Sequence, residues 1–97
     1  MQVSIRFFTV LRELTGKREE ILLFPEAEKV TVNSVLRTLA NKYGNPFTDY
    51  VYDSNTSEVK GFLQFFINSK STSALLGLRS ELHDGDILAI VPPVGGG

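Results

Sequence analysis

Residues 3–10 open the chain with a clean alternation. Val3, Ile5 and Phe7 share one side, while Ser4, Arg6 and Phe8 share the other. Successive strand side chains point to opposite faces, so this pattern predicts a half-buried strand. Leu11 to Gly16 is too short for a lasting helix and ends in a turn glycine. Residues 18–24 predict a second strand with Ile21 and Leu23 facing inward, and the short link between the two strands makes antiparallel pairing the expectation. After Pro25, Thr31 stands where it can cap a helix over 32–43. Val32, Val35, Leu36, Leu39 and Tyr43 fall at i, i+3, i+4, i+7 and i+11, a single apolar stripe, and Gly44 follows at the C′ position. Asn45-Pro46 then reads as a cap with proline at N1, starting one turn that buries Phe47, Tyr50 and Val51. Residues 53–57 are a loop tip rich in turn formers.

The second half repeats the strand signal twice. Over 61–68, Leu63, Phe65 and Ile67 oppose Phe62, Gln64 and Phe66, so both faces carry large apolar groups. Ala74, Leu75, Leu76, Leu78 and Leu82 are expected to pack at the core edge, around a short strand or 3₁₀ turn. His83-Asp84-Gly85-Asp86 is a tight turn into the last strand, Ile87 to Val91. Pro92 and Pro93 stop that strand, since neither can donate a ladder hydrogen bond. The order is strand, strand, helix, strand, short element, strand. A helical crossover requires some strands to run parallel. The simplest solution sets the first and last strands side by side, with one main helix across a mixed sheet. That is an α+β, ubiquitin-like β-grasp arrangement.

Ninety-seven residues are enough for one domain, a body over 1–91 and a tail over 92–97. Apolar residues make up 42%, with seven Phe and three Tyr, which fills a compact core without disulfides or metal. The formal net charge of −1 supplies no bulk attraction to nucleic acid or to an anionic membrane. Cysteine is absent, which removes disulfides, thiolate metal sites and a cysteine nucleophile. The opening residues read as strand rather than secretory leader, and no apolar run reaches membrane-spanning length, so a cytoplasmic domain is expected. Asn55-Thr56-Ser57 fits the glycosylation pattern but reads as an ordinary polar loop in that setting.

Side chains offer no reaction. His83 is the only histidine, too few for a metal site without cysteine and without a partner for acid–base work. Asp84 and Asp86 are explained by turn chemistry, and no bound cofactor is expected. What remains is Pro92-Pro93-Val94-Gly95-Gly96-Gly97. A stiff diproline leads into residues without side chains, giving a thin segment that spans at most roughly 20 Å when extended. Such a segment can enter a channel that excludes any Cβ, and it delivers a main-chain carboxylate at Gly97. A carboxylate resists nucleophiles until activated, most simply as an acyl-adenylate. Sulfur could then displace AMP to give a thiocarboxylate, or a lysine amine could displace it to give an isopeptide. Either route requires another protein to hold ATP.

Two stretches resemble the molybdopterin synthase sulfur-carrier (small) subunit family, itself close to the archaeal small ubiquitin-like modifiers. Arg6-Phe7-Phe8-Thr9-Val10-Leu11-Arg12-Glu13-Leu14-Thr15-Gly16 is similar to the family's opening strand and turn. Asp84-Gly85-Asp86, the apolar strand 87–91, Pro92-Pro93-Val94, the variable Gly95 and the diglycine Gly96-Gly97 resemble its end. The resemblance implies a β-grasp fold and adenylation of Gly97 by a ubiquitin-activating-type adenylyltransferase. It further implies that Gly97 carries sulfur as a thiocarboxylate, and that the tail inserts into the large synthase subunit to serve the molybdenum or tungsten cofactor. The modifier branch implies conjugation to target lysines instead. Family members often have Val-Asn-Gly where this chain has Ile67-Asn68-Ser69, and the 44–60 segment is longer than in compact members. Docking would use an exposed aromatic sheet face, for which Phe8, Phe62 and Phe66 are the candidates.

Overall fold

The computed structural model describes residues 1–93. Its elements are β1 (Gln2–Phe7), α1 (Val10–Thr15), β2 (Glu19–Leu23), β3 (Val30–Thr31), α2 (Val32–Tyr43), α3 (Asn45–Val51), β4 (Gln64–Ile67), β5 (Lys70–Ser71), β6 (Glu81–Leu82) and β7 (Ile87–Val91). Two 3₁₀ turns, Thr72–Ala74 and Gly77–Arg79, precede β6. Five strands form one sheet in the order β2-β1-β7-β4-β5, while β3 and β6 form a separate two-stranded ribbon. β1 and β7 run parallel at the centre, with Ile5 opposite Leu88 and Phe7 opposite Ile90. β1 pairs antiparallel with β2, and β4 antiparallel with β7. This is the expected β-grasp architecture.

The main helix forms for the reasons visible in its sequence. Thr31 and Ser34 make a reciprocal capping box, with the Ser34 amide donating to the Thr31 hydroxyl at 3.2 Å and the Thr31 amide to the Ser34 hydroxyl at 3.1 Å. Val32, Val35, Leu36 and Leu39 are fully buried. They meet Val3, Ile5 and Phe7 of β1 and Leu88 and Ile90 of β7 in one continuous core.

Five local expectations need correction. Val10–Thr15 does form a helix, stopped by Gly16 at φ 73° with its amide bonded to the Arg12 carbonyl at 2.8 Å. The buried Leu11 anchors that short segment, which propensity alone would not sustain. In β2 the inward residues are Glu20 and Leu22, while Ile21 is 54% and Leu23 77% exposed. Register decides this: Glu20 lies opposite Ile5 and Leu22 opposite Val3, both core residues. α3 starts at Asn45 with Gly44 as its cap and buries Phe47 and Val51, while Tyr50 stays half-buried. The third long strand begins only at Gln64, since residues 61–62 form a turn. Leu75 and Leu76 are exposed, as is Ala74, because the two 3₁₀ turns carry that segment over the surface, leaving Leu78 half-buried and Leu82 in the core.

Candidate functional site: the outer sheet face and the tail exit

Strand alternation gives the sheet a second face, turned away from α2. Ile87, Ala89 and Val91 of β7 point there, next to Arg6 of β1 and Phe66 of β4. With Phe8, Asn68 and Ser69 they line a shallow, mostly apolar cleft. Phe8 and Phe66 are both half-buried, so each keeps ring area open to a partner. The rim is charged: the Arg12 guanidinium lies 5.4 Å from the Phe8 ring, and its Nε donates to the Phe7 carbonyl at 3.0 Å. Arg6 pairs with Glu19 at 3.5 Å.

The far wall of the cleft is the β4–β5 hairpin turn. Asn68 and Ser69 both adopt left-handed backbone, φ 50° and 71°, as a two-residue hairpin of the primed type requires. Asn68 ties this turn to β7: its side-chain oxygen accepts from the Ile87 amide at 2.9 Å, and its amide nitrogen donates to Asp86 at 2.9 Å. Asp86 also accepts from the His83 amide at 2.7 Å, and Asp84 accepts from the Gln2 amide at 2.7 Å. Asp84 thus braces the turn, centred on Gly85 at φ 85°, against β1, and Asp86 closes it and ties it to Asn68. His83 lies beside Glu81 at 3.4 Å and Asp86 at 3.8 Å, on the surface. Among the described residues no group of His, Cys, Asp or Glu is gathered to hold a metal, and no helix is long and apolar enough to cross a membrane.

The candidate residues divide clearly. Phe8 and Phe66 meet in the cleft. Phe62 does not join them: it precedes β4, packs on Tyr50 at 5.7 Å between ring centroids, and lies 5.9 Å from the Lys60 ammonium. Pro92 is buried at the end of β7 and Pro93 is exposed. Val94, Gly95, Gly96 and Gly97 lie outside the described residues. Sequence reasoning missed Arg6, Ala89 and Val91 as cleft residues. The signal was present, because β7 alternates about the buried pair Leu88 and Ile90, but an all-apolar strand hides which phase faces outward.

What this arrangement can do chemically is limited and specific. Among the described residues no poised acid, base or nucleophile lines the cleft. The central strand ends at its mouth, with Val91 in the cleft wall and Pro92 and Pro93 directly after it.

Known proteins share this design over its full length. The chain is 31% identical over 97 residues to "Small archaeal modifier protein 3" of Haloferax volcanii, covering all of both chains. It is 32% identical over 72 residues to a "Putative sulfur carrier protein" of Archaeoglobus fulgidus, covering 74% of this chain and 80% of that one. The solution structure of small archaeal modifier protein 1 from Methanosarcina acetivorans superposes with a TM-score of 0.79 at 34% identity, covering 99% of this chain and 96% of that one. The ThiS family matches residues 5–97, diglycine included. A parallel central strand that ends in diproline, an aromatic outer face and that full-length match together make this chain a member of the ThiS family, among the ubiquitin-like sulfur carriers and small modifiers.

Proposed function

We propose that this protein is a sulfur carrier for molybdopterin synthesis, its reactive group being the carboxylate of Gly97. In the first step the carboxylate attacks the α-phosphorus of ATP on a ubiquitin-activating-type adenylyltransferase, and pyrophosphate leaves. Sulfide then attacks the acyl carbon, AMP leaves, and a thiocarboxylate remains on Gly97. The loaded tail, Pro92 to Gly97, enters the large subunit of molybdopterin synthase and gives its sulfur to the pterin precursor of the molybdenum or tungsten cofactor. ATP and the catalytic side chains belong to the partners.

The observation that carries this reading is the placement of β7. It is the middle strand of the sheet, both its neighbours are long-range partners, and it ends in Pro92-Pro93 beside the Phe8–Phe66 cleft. A body of this kind docks through the cleft while its tail reaches a buried site. The family match that runs to Gly97 supports the same assignment for the diglycine. Incubation with a cognate activating enzyme, ATP and a sulfur donor, followed by intact-mass measurement, should show the gain expected for exchange of one oxygen for sulfur at Gly97. An unchanged mass with an enzyme that loads another carrier refutes the reading.

A second reading is conjugation to target-protein lysines through Gly97. It is supported by the full-length likeness to a small archaeal modifier protein. Tryptic digests of native cells distinguish the two, since Arg79 is the last tryptic site of the chain and conjugation therefore leaves the eighteen-residue remnant 80–97 on lysine side chains.

A further inference from the structure

β2 is an edge strand. Among the described residues nothing pairs with its outer side, since the sheet runs β2-β1-β7-β4-β5. The Phe7 amide bonds to the Arg18 carbonyl and the Phe24 amide to the Met1 carbonyl, each at 2.9 Å. With the β1–β2 register, these fix the phase: Arg18, Glu20, Leu22 and Phe24 turn their main-chain groups toward β1. Glu19, Ile21 and Leu23 therefore turn theirs to the open edge. The same alternation leaves the Ile21 and Leu23 side chains exposed beside that edge. A bare, apolar edge is what natural sheets avoid, usually with a lysine, a proline or a bulge. Here none of these interrupts residues 19–23.

We infer that this edge pairs with the same edge of a second copy, in antiparallel register with Ile21 of each chain opposite Leu23 of the other. The two Leu22 residues then flank the two-fold axis. In that register the outward groups of Ile21 and Leu23 form four main-chain hydrogen bonds, and the four exposed side chains close into one apolar cluster on the outer face. Charge supports the same register. Lys17 and Arg18 sit at one end of β2 and Glu26 and Glu28 lie beyond the other. Antiparallel pairing sets the basic end of each copy against the acidic end of its mate, with Arg18 opposite Glu26. Sliding by one step to oppose Ile21 with Ile21 would face Glu19 with Leu23 and lose that match. The strand's own carboxylates do not oppose the approach, because Glu19 is paired with Arg6 and Glu20 with Lys17 and Lys42.

A contact of this size falls below the ~1,200 Å² of stable interfaces, so the dimer is weak and reversible. It leaves β7 and the Phe8–Phe66 cleft open, two strands or about 10 Å from the edge. The dimer is therefore a bivalent carrier. This inference does not depend on whether Gly97 transfers sulfur or is conjugated.

The test is a concentration series of the full chain, followed by sedimentation velocity and by amide chemical shifts. A reversible monomer–dimer equilibrium is expected, with the largest shifts at the amides of Ile21 and Leu23 and smaller ones at Glu20 and Leu22. Ile21→Lys should weaken dimerisation more than tenfold. Leu23→Pro should do the same, since it removes an edge-facing N–H that β1 does not use. Arg18→Glu alters an exposed side chain, and Glu26→Arg one that also holds the Met1 ammonium at 3.1 Å; each alone should weaken the dimer, and together they should restore it. A chain that stays monomeric to ~1 mM, the weak limit of specific binding, overturns the inference. So do shifts that map to Phe66 and Val91, or a dimer indifferent to the charge swap.

Discussion

The hydroxyl of Tyr43, at the end of α2, donates to Oε1 of Glu20, a β2 carboxylate only 5% exposed on the core side of the sheet. Lys42 Nζ reaches the other oxygen, and Lys17 lies 3.4 Å from Oε1. Helix and edge strand are thus joined by a polar clamp in addition to the apolar core that Leu22 enters. Burial by itself pushes the Glu20 pKa up, but the hydrogen bonds from Lys42 and Tyr43 and the two lysine charges outweigh it, so the group titrates below the usual glutamate value.

The pH dependence follows from that depression. A lowered folded-state pKa contributes stability above the unfolded value, and that stability is lost as pH falls through the folded value. Acid should therefore weaken the fold below about pH 4.5, the ordinary glutamate value. Burial, and then the Glu20 hydrogen bond and charge, hold the Tyr43 pKa well above its usual value, so alkali acts too: stability falls as pH rises beyond about 10. Tyr43→Phe should cost about 1.5–3 kcal/mol at neutral pH, a hydrogen bond to a charged group, and flatten the alkaline limb. Urea melts at a series of pH values measure both; an unaltered alkaline limb in the variant excludes the clamp as its source.

The same clamp explains what the sequence could and could not reveal about the fold. In Glu19-Glu20-Ile21-Leu22-Leu23 the three adjacent apolar residues fit either phase of a strand, and burying a glutamate is the improbable choice. Lys42 and Tyr43, more than twenty residues away, together with Lys17, make that phase favourable. α2 was legible because five residues at helical spacing, a capping threonine and a terminal glycine all agree. Leu75 and Leu76 misled because they sit in the turn between two short 3₁₀ segments, where no period places them. At the candidate site, Phe8 and Phe66 followed from alternation, whereas Phe62 required knowing that β4 starts two residues after it.

Ser69 has φ 71° in the β4–β5 turn, where a side chain is strained and glycine is not. Ser69→Gly should stabilise the protein by about 0.5–1 kcal/mol, the left-handed penalty less the extra freedom glycine gives the unfolded chain. A chemical-denaturation midpoint that fails to rise would mean the turn relaxes around the serine.

Thr31 holds one half of the α2 capping box. Thr31→Ala leaves the Ser34 amide unpaired, and the expected loss is about 1 kcal/mol. Because α2 packs on the inner face, carrier loading at Gly97 should be unaffected at a temperature where the variant is folded. Thermal melts and intact mass after loading check the two halves separately.

Phe66 belongs to the outer face and Phe62 does not, so the two residues give opposed expectations. Phe66 is half-buried between Ala89 and Ser71 on the sheet surface and contributes little to the core below. Phe66→Asp should therefore cost about 1–2 kcal/mol, half the burial of an apolar side chain plus the poor strand propensity of aspartate, and leave the chain folded. If the cleft is where an activating enzyme or a synthase subunit docks, the same change desolvates a carboxylate at the centre of that interface. Its cost should reach about 2 kcal/mol, the threshold for a hot spot, or roughly thirtyfold in affinity. Phe8→Asp should behave alike, since its ring lines the same cleft. Phe62→Asp should leave docking unchanged while loosening its contact with Tyr50. Titration calorimetry with the adenylyltransferase, run on all three variants, separates these cases: equal losses for Phe62 and Phe66 would show that the partner grips the far side of the molecule, and the tail would then have to bend back to reach its site.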